Sequence, residues 1–259
     1  MLDLAAHWLR SIPAVRELAL RASYLRFEMD RYPLAEVAAA LDELAGRAEQ
    51  ADPVAREVLA SAVTILTDPE GGERADALRR VAGEAALLPL GRLLRKRIKS
   101  EPTADAPPID ERLLATSSTG RILTLGERKA LARRPTRAAL DKLLRDPHPA
   151  VIRNLLANPR LTEDDVVRLA ARRPAFRDVI GEIARHPAWS RRARVRMALV
   201  QNPGTPPEIS VPMVQLLIRP ELDQVIQAVD VPALVRAAAR ELLDRRPPVP
   251  ERAPEGDPQ

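Results

Sequence analysis

The chain has 259 residues, 46% of them hydrophobic and 30% charged, which is enough apolar material for a packed core and too much for a disordered chain. There are no cysteines, and the three histidines (His7, His148 and His186) stand far apart in sequence, so disulfides, thiolate metal centres, iron–sulfur clusters and thiol nucleophiles are excluded and a multi-histidine metal site is not expected. The formal net charge is +5, carried mainly by arginine, since only Lys96, Lys99, Lys129 and Lys142 are lysines among 41 basic residues.

With aromatic residues at 2%, the core must be built from Leu, Ala, Val and Ile, which favours an all-α fold. No apolar run approaches the ~18 residues of a membrane span. Asp3, His7 and Arg10 interrupt the apolar stretch that a secretory leader would need. A cytoplasmic protein without a membrane partner is the expectation. The abundance of Arg, Ala and Pro fits a GC-rich bacterial genome, so arginine content by itself says little about nucleic acid.

Residues 1–98 read as an N-terminal helical bundle. Pro13 is placed to open a helix at Ala14, with Val15, Leu18, Leu20 and Leu25 on its apolar side. Pro33 opens a second, carrying Leu34, Val37, Leu41 and Leu44. Asp52-Pro53 opens a third, with Val54, Val58, Val63 and Leu66. Asp68 to Gly72 is a turn. A further helix from about Arg74 to Ile98 is interrupted near Pro89 and Gly91. It ends on a basic run, which complements a helix C-terminus. Residues 99–110 have linker composition, and 247–259 reads as a disordered tail.

Between them, residues 111–246 carry a recurrence. Prolines 135, 147, 159, 174, 187, 203 and 220 each follow a polar residue. Three and four positions upstream of each lie two apolar residues, as in Leu143-Leu144, Leu155-Leu156 and Leu199-Val200. The residue before proline disfavours the α region, so each unit predicts a helix of two or three turns. Helices this short are marginal alone and must stack. Two of them would make a unit of about 24–33 residues. Thr162 as N-cap and Asp165 three residues on predict a capping box.

The segment Asp146-Pro-His-Pro-Ala-Val-Ile-Arg-Asn-Leu-Leu-Ala-Asn-Pro159 resembles a unit of the HEAT-like and leucine-rich-repeat-variant α-solenoids. Val195-Arg-Met-Ala-Leu-Val-Gln-Asn-Pro203 is a weaker copy, and the last unit, near Val231-Pro-Ala-Leu-Val-Arg236, lacks the closing Asn-Pro. The resemblance covers about half the chain. It implies a short-helix α-solenoid behind the bundle and a role in protein interaction, and it carries over no catalytic residue.

Residues 121–200 hold 19 basic against 8 acidic side chains, while every other stretch is neutral or acidic. A field of that size concentrates acidic partners. Candidate partner-binding residues are Arg153, Arg168, Arg172, Trp189, Arg191, Arg192, Arg194 and Arg196. Spacing already forbids the last four arginines from sharing one helix face. Glu163, Asp164 and Asp165 fit a helix N-terminus better than an acid–base pair. No nucleophile elbow, phosphate-binding glycine loop, metal set or cofactor motif appears, and no small-molecule substrate is evident. The expected function is a non-enzymatic scaffold whose basic surface meets an acidic protein. The alternatives are a nucleic-acid binder and, behind it, an enzyme resembling the HEAT-like DNA repair glycosylases. The scarcity of aromatics for base stacking counts against both.

Overall fold

A computed structural model describes residues 3–68, 72–95 and 110–248, and among these the chain is all-α, with one isolated β-bridge between Thr116 and Ile122. The expected linker, apart from Asp110, and the expected tail beyond residue 248 lie outside the described residues. No helix described is long and apolar enough to cross a membrane.

Six helices make the N-terminal part: α1 (Leu4–Ala14), α2 (Leu18–Arg31), α3 (Leu34–Glu49), α4 (Pro53–Leu66), α5 (Gly72–Glu84) and α6 (Leu88–Leu93). Pro13 does not open a helix as its position suggests. It lies in the last turn of α1, which Asp3 caps by accepting from the Ala6 amide. Leu4, Ala5, Trp8 and Ile12 form its buried stripe. Proline cannot donate to the preceding turn, so the helix ends just beyond it. The carbonyls freed there are taken by buried Arg21, whose Nη2 donates to Pro13 O at 2.9 Å and whose Nε donates to Val15 O. Leu20, expected on the apolar side, is exposed instead.

Asp52 caps α4 by accepting from the Val54 and Ala55 amides, and Pro53 sits at N1, where its missing N–H costs nothing. From Val58 to Leu66 every residue of α4 is buried. The helix packs against α1, α2, α3 and α5 on one side and touches α11 and α13 of the C-terminal part on the other. The break expected near Pro89 falls at Ala85–Leu87, where Ala86 adopts φ +53°, and Pro89 lies inside the first turn of α6.

Nine helices follow: α7 (Leu125–Ala132), α8 (Arg137–Leu143), α9 (Pro149–Leu156), α10 (Glu163–Ala170), α11 (Arg177–Arg185), α12 (Ala193–Gln201), α13 (Pro207–Val214), α14 (Arg219–Gln227) and α15 (Ala233–Arg245). At least one residue of each apolar pair upstream of a proline is buried. Thr124 with Glu127 and Thr162 with Asp165 form reciprocal capping boxes. Helix α7 packs on α9 and α9 on α11, while α10 packs on α12 and α12 on α14.

A polar arrangement recurs through this stack. Helix C-termini leave carbonyls without intrahelical donors. Asn158, just past α9, donates from Nδ2 to Ala132 O (2.8 Å) and Arg134 O (3.0 Å) at the end of α7. Asn202, just past α12, donates to Ala170 O (2.7 Å) and Arg172 O (2.9 Å) at the end of α10. Arg246, just past α15, reaches Leu217 O (2.9 Å) and Gln215 O (3.5 Å) beyond α13. Residues 158, 202 and 246 are 44 apart, so this recurrence spans three helices rather than the pair of 24–33 residues that proline spacing predicts. Each asparagine also turns the chain, since Asn158 Oδ1 accepts from the Arg160 amide and Asn202 Oδ1 from the Gly204 amide. Gly204 has to be glycine, because a Cβ there would fall 2.6 Å from the Cβ of Ala175.

Asn202→Ala is expected to cost about 1–3 kcal/mol, because it strands two buried carbonyls and an amide. Urea denaturation measures it, and a change below a few tenths would remove the clasp from the account of the stack.

Candidate functional site

The eight candidate residues do not form one surface. The run from Trp189 to Arg196 straddles the turn before α12, and its members diverge. Trp189 is half-buried against the core, its Nε1 donates to Leu156 O at 2.9 Å, and the guanidinium of Arg192 lies 5.8 Å from its ring centroid. Arg192 and Arg194 point outward and pair with Glu163 (3.4 Å) and Asp164 (2.7 Å) at the start of α10. Arg191 and Arg196 turn inward. Arg191 donates to Ser61 Oγ of α4 at 2.6 Å, and Arg196 donates to the Arg191 carbonyl. Arg153 on α9 chelates Glu182 of α11 at 2.7 and 2.8 Å.

Much of the excess charge in 121–200 is thus committed to ties between helices. Arg128 pairs with buried Asp146, and Arg137 on α8 pairs with Asp165 on α10. The Arg137 guanidinium holds the Asp165 carboxyl well below the usual carboxylate range, against burial and with help from Thr162. Burial pushes the Glu182 carboxyl up, but Arg153 and Arg185 together hold it below its ordinary value. His186 Nδ1 accepts from the Trp189 amide at 3.3 Å, and burial lowers the His186 pKa against the opposing pull of Glu182. Glu163, Asp164 and Asp165 are spent on these ties and on the α10 cap, so no free acid–base pair remains there.

Arg168 and Arg172, the remaining two candidates, meet in one place. Arg168, in the last turn of α10, and Arg172, just past its C-terminus, line a groove of about 640 Å³, with Arg145 after α8 on one side and Arg173 before α11 on the other. The groove floor is apolar, formed by Leu113, Leu144, Pro174 and Phe176. Arg172 lies over the Phe176 ring at 5.0 Å from its centroid and donates to the Arg145 carbonyl. This fixes its planar head above the floor, a geometry that lysine would not reproduce. Burial and the neighbouring Arg145 charge both lower the Arg172 pKa, with Asp146 opposing.

Two carboxylates lie in the lining. Asp141 pairs with Arg137, while Asp110 accepts from the neutral Arg112 amide and keeps its charge, and Arg173 is paired with Asp230 at 2.9 Å. Arg145, Arg168 and Arg172 have no carboxylate within ion-pair distance among the described residues. The sequence pointed to Arg168 and Arg172 through local charge density, but Arg145, Arg173 and Phe176 join them only through packing. Among the described residues no cluster of three His, Asp or Glu side chains is arranged to hold a metal ion. Neither the family models, nor the curated proteins, nor the solved structures contain a match to this chain.

Proposed function

We propose that the protein is a non-enzymatic interaction scaffold, an α-solenoid of the HEAT-like or leucine-rich-repeat-variant kind, whose basic groove receives an acidic segment of a partner protein. Short helices packing at alternate positions, with a polar clasp recurring every 44 residues, support the solenoid reading. The observation that carries the functional reading is the groove itself. Three arginines without an ion-pair partner stand over an apolar floor, which suits a segment carrying both carboxylates and a hydrophobic anchor. Arginine forks bind carboxylates in a bidentate manner, and a pre-placed guanidinium loses little freedom on binding.

The two aromatic residues of the C-terminal part, Phe176 and Trp189, favour protein over nucleic acid. Stacking a base needs an open ring face. Phe176 is only 8% exposed and lies beneath Arg172, while Trp189 is tied to Leu156 and overlain by Arg192.

Fluorescence anisotropy at 150 mM salt provides the test, with two labelled probes of equal charge: a peptide of alternating Glu and Leu, and a DNA duplex. The peptide is expected to bind at least tenfold more tightly. Arg168→Glu with Arg172→Glu should abolish peptide binding, whereas Arg192→Glu with Arg194→Glu, on the paired outer face, should change it less than twofold. Tighter binding of the duplex would favour the nucleic-acid reading, above all if affinity fell by the order of 10³–10⁵ between 50 and 200 mM salt.

A further inference from the structure

The two inward-turning arginines lead to a second site, remote from the groove and independent of the function proposed above. Where α4 meets α12 and the turn before α14, a cavity of about 280 Å³ is lined by Arg56, Glu57, Arg191 and Arg196, with Leu216 and Ile218 as apolar wall. The three guanidiniums come from two chain segments, α4 and the turn that leads into α12 with that helix. Glu57 is already bonded to Arg21, so it is not free to neutralise them. Arg191 spends one amino group on Ser61 Oγ and Arg196 one on a backbone carbonyl, both neutral acceptors. The Nε atoms of Arg56 and Arg196 are sealed from solvent and find no acceptor among the described residues.

Buried donors without acceptors are costly, and like charges gathered in a dry setting are costlier still. The surroundings show both effects. Burial, with Arg21 nearby and Glu57 opposing, lowers the Arg191 pKa. Burial lowers Arg196 as well, with Glu221 opposing and Arg56 adding to the shift. Behind them burial pushes Arg246 down to about 10, aided by Arg56 and Arg219 and opposed by Glu49. Guanidinium does not deprotonate in water at neutral pH, so all three charges persist in the cavity and favour an anion there.

We propose that this cavity binds a compact oxyanion of the phosphate class, gripped by Arg56, Arg191 and Arg196, and that the anion ties α4 of the N-terminal part to α12 of the C-terminal part. The volume lies below the ~300–1,000 Å³ of clefts that hold drug-sized ligands, which limits the occupant to a free oxyanion or the phosphate group of a small ester. Guanidinium forks match the oxygens of a tetrahedral anion, and the single carboxylate in the lining is engaged elsewhere. Because α4 and α12 contribute from opposite sides, binding selects the assembled molecule over any state in which the two parts separate.

Titration of the full chain by isothermal calorimetry and by thermal melting, with inorganic phosphate, methyl phosphate and sodium chloride at matched ionic strength, tests this. The expected result is one saturable site for phosphate or its ester and a rise in melting temperature of about 5–10 °C at a hundredfold excess over Kd. The tighter of the two probes identifies the source as free anion or ester. Arg56→Gln and Arg196→Gln are each expected to weaken binding at least tenfold while melting no lower than the parent without phosphate, since they relieve repulsion. Arg168→Gln with Arg172→Gln, in the groove, should leave the phosphate response intact. Absence of saturable heat with the parent chain, a melting rise matched by chloride, or loss of the response in the groove variant but not in Arg56→Gln would each overturn the proposal.

Discussion

Asp146→Ala is expected to destabilise the protein by about 3–5 kcal/mol, the cost of leaving a buried charge without its partner. The Asp146 side chain is fully buried, and its two oxygens accept from Arg128 Nη1 at 2.7 and 2.6 Å. Oδ1 also accepts from the His148 amide at 2.9 Å, closing the turn into α9. Removal therefore strands a guanidinium that is itself 9% exposed and whose Nε already lacks an acceptor. The pair's net worth is much smaller than this loss, because its formation required desolvating both ions. Replacing both, as Arg128→Met with Asp146→Asn, should recover most of the stability, since asparagine still accepts from His148 and methionine fills the space of the arginine stem. Urea denaturation of the three proteins decides it. A single-variant loss below 1 kcal/mol, or a double variant as unstable as the single, would show that Arg128 reaches water when unpaired.

Leu155→Ala should cost about 2–5 kcal/mol. Its side chain has no exposure and sits on α9, which is packed between α7 and α11. Helices on both sides resist collapse into the space vacated, and residual cavity volume is what moves such substitutions to the upper end of the range. Leu131 occupies the equivalent place before its proline but is only half-buried, so Leu131→Ala is expected to cost clearly less. Equal losses at the two positions would mean that the paired apolar residues are not read by depth. A loss near zero at Leu155 would remove α9 from the stack.

Features whose cause lies within a few residues were legible in the sequence. The pre-proline restriction marked the ends of α7 to α12, whereas Pro220, read the same way, sits in the first turn of α14 and opens that helix. Asp52-Pro53 and Thr162 with Asp165 marked helix starts that the structure contains. Features whose cause is distant were not. Pro13 looks like a helix start because the signal that it ends one is the stripe from Leu4 to Ile12 together with Arg21, which accepts the consequence eight residues later. Asn158 and Asn202 act on carbonyls 26 and 32 residues upstream, beyond any local pattern. The arginine run failed as a surface because α12 begins only at Ala193. Arg191 therefore belongs to a turn, and helical periodicity does not say where it points. The groove combines residues of α10 with loops on either side of it, so charge counting found half of it and only packing supplies the rest.

The last helix has a consequence for how the chain is assembled. Arg245 forms an ion pair with Glu49 at 3.3 Å, Glu241 accepts two bonds from Arg95, and Gln50 Nε2 reaches the Arg245 carbonyl across 195 residues of sequence. In an open array of short helices, contacts are local, folding nucleates anywhere, and a terminal unit frays or is duplicated at little cost. Fastening α15 to the ends of α3 and α6 changes that. Closing so long a loop adds entropy cost only slowly with length, but it raises the mean sequence separation of contacts, and folding slows accordingly. The fastening also fixes the place of α15, since any shift of that helix would break its ties to Glu49 and Arg95.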